Sequence, residues 1–121
     1  SLALVAREDK LAANADVYKR FVEATALGWQ EAMKDPEGSV KALLEVFPET
    51  GHSPENLLKS SKYSFASVCP AGSGDTIGVT SAETWATMYD VMTTAMNLPS
   101  TKPVTDYYSL DYVPAEPVTC P

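Results

Sequence analysis

A chain of 121 residues with 45% hydrophobic content has the length of one domain and enough apolar material for a modest single core. Nine Lys and Arg against 16 Asp and Glu leave a formal net charge of −7, and the scattered basic residues form no phosphate-tracking patch; both features argue against nucleic acid and anionic membranes as partners. The longest apolar run, Leu2–Ala6, is far too short to span a bilayer.

In chain order, Leu2–Ala6 reads as a short buried strand bounded by Arg7-Glu8-Asp9-Lys10. An unpaired strand is a liability, so it is expected to pair with a symmetry partner or the tail, or to be absorbed into a first helix through Leu11-Ala12-Ala13. Asn14 is a good N-cap for the strongest helix of the chain, and Asp16 complements the positive end of its dipole. Val17, Phe21, Ala24, Gly28 and Ala32 form its apolar stripe, with Tyr18, Val22, Trp29 and Met33 widening it. Asp35-Pro36 ends that helix and opens the next, as cap and first residue.

The second helix carries Val40, Leu43, Leu44 and Phe47 on its apolar side and stops at Pro48. Gly38 weakens its first turn by about 1 kcal/mol relative to alanine. Ser53-Pro54-Glu55 repeats the start signal, so a third helix begins there with Leu57, Leu58 and Ser61 inward. Its end is open, because residues 63–68 read equally as an alternating strand. The glycines between Cys69 and Asp75 lack the cation of a phosphate loop and read as a connector. Thr80 and Glu83 form a capping box ahead of Trp85, Met88, Tyr89, Met92, Ala95 and Met96. Asn97 suits the left-handed turn that closes this helix, and Pro99 prevents continuation. The predicted architecture is mainly α: a helical body over residues 1–98, with helices near 14–34, 36–47, 54–66 and 81–96, and an extended Pro- and Tyr-rich strap over 99–121.

Little here points to chemistry. His52, the single histidine, lies in a turn without a paired base or nucleophile, and a metal site needs more ligands than the chain offers. Acidic pairs sit at helix starts, where the dipole accounts for them. Cys69 and Cys120 are too few and too far apart for zinc. Two readings remain: a bridge that pins the tail in an oxidising compartment, or two ordinary thiols. No catalytic residue, metal or cofactor is expected.

Asn14, Val17, Phe21, Ala24, Gly28, Trp29, Ala32 and Pro36 together resemble the late helical segment of the periplasmic substrate-binding proteins of ABC importers. The branch is the one that includes binding proteins for a thiamine pyrimidine precursor, alkanesulfonates and nitrate. Ala15 stands where that branch usually has proline, and Gly38-Ser39 interrupts a commonly alanine-rich turn. Members are over twice as long and fold into two lobes, so the resemblance implies that this chain corresponds to the C-terminal part of a type II periplasmic-binding-protein fold, from about residue 2 to residue 113. It is then either cut from a longer protein or a naturally short relative. The resemblance further implies a periplasmic or extracytoplasmic location, a small-molecule ligand and an ABC permease as partners of the full-length parent, and a scaffold role for this part. The reactive histidine and lysine-bound cofactor of eukaryotic relatives have no counterpart motif here. By the same resemblance, in which clefts hold small organic ligands by stacking, Trp29, Trp85, Tyr107 and Tyr108 are the ligand-contact candidates, with the tryptophans open to a second reading as core anchors. The competing functional reading is a free-standing helical homodimer that covers Phe21, Trp29, Trp85 and Met92 by self-association.

Overall fold

The computed structural model describes residues 3–69 and 76–121. Among the described residues five α-helices follow in order: α1 (Glu8–Ala13), α2 (Ala15–Lys34), α3 (Pro36–Val46), α4 (Pro54–Val68) and α5 (Ala82–Asp90). Short 3-10 turns occupy Pro48–Thr50 and Val104–Asp106. No β-strand occurs among the described residues, which hold one isolated antiparallel bridge between Thr76 and Thr119.

The expected N-terminal strand is therefore a correction. Ala3–Ala6 belong to no helix or strand, and Val5 is 92% exposed. A strand satisfies its backbone only against a neighbouring strand, and the described residues supply none. The chain instead turns into α1, where the Arg7 guanidinium reaches both Asp9 carboxylate oxygens at 2.9 and 3.1 Å. That pairing holds the Asp9 carboxyl below its usual range and raises Arg7, so its small contribution to stability exists above the carboxylate's ordinary pKa and fades as acid protonates it.

α1 also changes the role of Asn14. The side chain caps no N–H of α2; its amide donates back to the Lys10 carbonyl at 3.2 Å, because the residue closes α1 as well as opening α2. The later caps are conventional. Asp35 accepts from the Gly38 N–H at 2.9 Å, and a Cβ at Gly38 would collide with that carboxylate, so the glycine makes room for the cap. Ser53 accepts from the Asn56 N–H at 3.2 Å, and α4 runs on through Val68, which removes the strand alternative for its last turns. At α5 the cap is Ser81, accepting from the Thr84 N–H at 3.1 Å, and not the expected Thr80. Beyond Asp90 the helix widens into a π turn over Val91–Ala95, closed by the Met96 N–H on the Val91 carbonyl at 3.1 Å. There the Thr93 hydroxyl bonds back to the Tyr89 carbonyl at 2.9 Å, competing for an acceptor the α ladder would use. Asn97 takes a positive φ of 52° just after it.

α2, α3 and α4 pack on one another, but the face α2 turns inward is the flank of its apolar surface and not the centre. Ala26 is buried, and Tyr18, Val22, Trp29 and Met33 are half-buried, whereas Val17, Phe21, Ala24 and Gly28 stand exposed, Phe21 at 58%. The apolar stripe read from the sequence is thus mostly the open side of the helix, with Ala32 half-buried at its end. The interior gathers around Ala26, Ile77 and Val118, with Trp29, Met33, Val68, Cys69 and Cys120 packed against them. A disulfide joins Cys69 at the end of α4 to Cys120 in the tail, with Cα atoms 5.8 Å apart. Beside it the Ile77 N–H donates to the Val118 carbonyl at 2.7 Å, and the Gln30 amide of α2 donates to the Thr119 carbonyl at 2.8 Å. The connector read over residues 69–75 lies outside the described residues from 70 onward.

The chain exposes 9024 Å², against about 6,300 Å² for a compact monomer of its mass. Val46, Phe47, Met96 and Leu98 contribute to that excess alongside the α2 stripe. Since a bridge closing a loop of this 51-residue separation constrains the unfolded chain by about 4 kcal/mol, replacing both Cys69 and Cys120 by serine is expected to remove most of the stability of the fold, read as a lowered midpoint in urea unfolding. Gly38→Ala is expected to lower the same midpoint despite alanine's better helix propensity, because it displaces the Asp35 cap.

Candidate functional site

Two places bring aromatic side chains together. The first lies between α5 and the strap. Trp85 and Tyr89, four residues apart on α5, share a helix face, and the 3-10 turn Val104–Asp106 brings Tyr107 and Tyr108 against it. Trp85 stacks on Tyr108 with ring centroids 5.1 Å apart and planes 8° off parallel, while Tyr89 meets Tyr107 at 5.9 Å and 43°. The polar tips are used within the chain. The Tyr89 hydroxyl donates to the Lys102 carbonyl at 2.9 Å, and the Tyr107 and Ser100 hydroxyls share a bond of 2.7 Å. Buried Nε1 of Trp85 has no partner among the described residues.

The second place is a groove of about 340 Å³ between α2, α3 and α4, floored by Gly28, Trp29 and Ala32 and walled by Val40, Leu43 and Phe65. Trp29 meets Phe65 edge-to-face at 5.9 Å and 85°. Two of the groove's hydroxyls are spent on their own helices: Thr25 donates to the Phe21 carbonyl at 2.7 Å and Ser39 to the Asp35 carbonyl at 2.9 Å.

The four candidate ligand contacts thus separate. Trp85, Tyr107 and Tyr108 come together with Tyr89 as an added member, and Trp29 stands apart in the helical groove. The α5 rings lie against rings of the strap, Trp85 on Tyr108 and Tyr89 on Tyr107, so the cluster forms a seam between strap and helix. A third ring pair, Tyr18 and Tyr112 at 6.5 Å and 82°, fastens the far end of the strap to α2. The helical spacing of Trp85 and Tyr89 marked the seam's helix side in advance; nothing in the spacing of Tyr18 and Tyr112 announced their contact. His52 is exposed in the turn before α4, its N–H on the Thr50 hydroxyl at 3.4 Å. Among the described residues no cluster of three or more His, Cys, Asp or Glu is arranged to hold a metal ion, and no helix is long and apolar enough to cross a membrane. The arrangement suits apolar packing: an open groove between α2, α3 and α4, and an aromatic seam between α5 and the strap.

If the seam is what fastens the strap, Tyr108→Ala exposes one face of Trp85 and is expected to cost about 2 kcal/mol, with a red-shifted tryptophan emission and faster proteolysis within residues 99–113. Unchanged emission and unfolding midpoint would contradict this assignment.

Compared with known proteins, residues 1–39 match the family model described as NMT1/THI5 like. The matched stretch comprises α1, α2 and the opening of α3, about a third of the chain. No curated protein and no solved structure matches it. The similarity to the NMT1/THI5-like family therefore rests on the segment that contains Val17, Phe21, Gly28, Trp29 and Pro36.

Proposed function

We propose that this chain is the C-terminal part of a solute-binding protein serving an ABC importer for a small organic or anionic nutrient, and that its role there is scaffolding. The observation that carries the proposal is the NMT1/THI5-like match over residues 1–39. The Cys69–Cys120 bridge supports it, because disulfides persist in extracytoplasmic, oxidising compartments. So does the large uncovered surface, which suits a part that leans on another lobe. The exposed, unpaired segment Ala3–Ala6 would then find strand neighbours in the rest of the parent protein.

In this role the helices back a lobe and help present it to the permease, and the ligand is held mainly by parts of the parent outside this chain. Half a cleft buries too little of a small molecule to repay the entropy of binding it.

Two measurements test this. Calorimetric titration of the chain with a thiamine pyrimidine, taurine and nitrate is expected to give no binding tighter than about 1 mM; saturable heat from any of them would overturn the scaffold role. Reading the coding DNA ahead of Ser1 is expected to reveal an in-frame extension that encodes the other lobe, and a stop codon immediately upstream would overturn the assignment to a larger binding protein.

A further inference from the structure

The stripe left open on α2 has a particular shape. Val17, Phe21, Ala24 and Gly28 follow at four-, three- and four-residue steps and carry no charge. Its N-terminal half is large and its C-terminal half small. Phe21 is 58% exposed, while a Cβ built on Gly28 would meet nothing within 4 Å. A mid-helix glycine weakens a helix relative to alanine, and no contact or backbone angle within this chain requires it. Gly28 also floors the groove of about 340 Å³ walled by Val40, Leu43 and Phe65. Knob and hole thus lie on one face, seven residues or about 10 Å apart along the axis.

We infer that this face is an isologous interface, in which α2 packs antiparallel on α2 of a second copy of the chain. A two-fold axis passing between Ala24 and Thr25 sets Phe21 of each copy over Gly28 of the other, in the groove beside α3 and α4, and Val17 opposite Ala32. The same symmetry operates on charge. Arg20, Leu27 and Glu31 lie on one flank of the stripe, and the axis that seats Phe21 leaves Arg20 of each copy about two residues, or ~3 Å along the helix, from the level of Glu31 of the other, a gap the two long side chains span. Both groups are available: the Arg20 guanidinium reaches only the Asp16 carbonyl, at 3.3 Å, and the Glu31 side chain is 70% exposed although it also meets Lys34. Self-complementarity of this kind, large against small and positive against negative under one two-fold operation, is what a closed dimer requires. The interface uses α2 and its groove and leaves Val46, Phe47 and Met96 uncovered for other contacts. The inference does not depend on the proposed importer role.

Sedimentation equilibrium of the oxidised chain across a wide concentration series provides the test. The expected result is a reversible two-chain species whose dissociation constant rises at least ~30-fold in Phe21→Ala and in Gly28→Leu, the loss carried by a central anchor. Arg20→Glu is expected to weaken it, and Arg20→Glu combined with Glu31→Arg to restore it, a reciprocal rescue that a purely structural defect in the monomer would not give. A chain that remains monomeric throughout would overturn the inference. So would a dimer indifferent to Phe21→Ala and Gly28→Leu, or a charge-swapped double variant that stays as weak as Arg20→Glu alone. A monomeric chain that belongs to a two-lobed parent would leave the importer reading standing, so the two ideas fail separately.

Discussion

The bond between Cys69 and Cys120 is the constraint on which the rest of this structure depends. The described residues contain few buried side chains, and three of them, Ala26, Ile77 and Val118, gather where the bridge ties the end of α4 to the tail. Without the crosslink, Val118 and Thr119 would have to hold their places by one hydrogen bond donated by Gln30, one donated by Ile77 and a small apolar contact. Such a set is worth little net of the entropy of ordering a chain terminus. The crosslink makes the chain entropy favourable in advance, and the small core forms on that foundation.

The strap solves the remaining problem of attachment by another means. Rings from α5 and α2 meet rings at Tyr107, Tyr108 and Tyr112, so a segment with five prolines from Pro99 onward, which cannot build a backbone ladder of its own, is held by side chains. The Tyr107 hydroxyl pairs with Ser100 within the strap, and the Tyr89 hydroxyl of α5 donates to the strap carbonyl of Lys102, so these polar tips need no deep burial.

What these two fastenings leave open bears on function. The groove over Gly28 is apolar, and hydroxyls at its edge already serve the helix backbone. A surface of that kind recognises shape and greasy area; in the readings proposed above its neighbour is another lobe or another copy.

The sequence by itself determined the elements that depend on local chemistry. Asp35-Pro36 and Ser53-Pro54 specify helix starts through a side-chain oxygen and a fixed φ, and Asn97 specifies a left-handed stop, all within a few residues of chain. Trp85 and Tyr89 were legible as one helix face for the same reason. Tertiary structure alone decided which side of α2 is inside. Both of its flanks are apolar, so periodicity could not choose between Phe21 and Ala26, and the choice fell to where the disulfide-held tail and α4 happen to lie. It also decided that Leu4 and Val5 stay unpaired, because a strand exists only by virtue of a neighbour. It separated Trp29 from Trp85, Tyr107 and Tyr108, since residues far apart in sequence share a site only through packing that no local rule encodes.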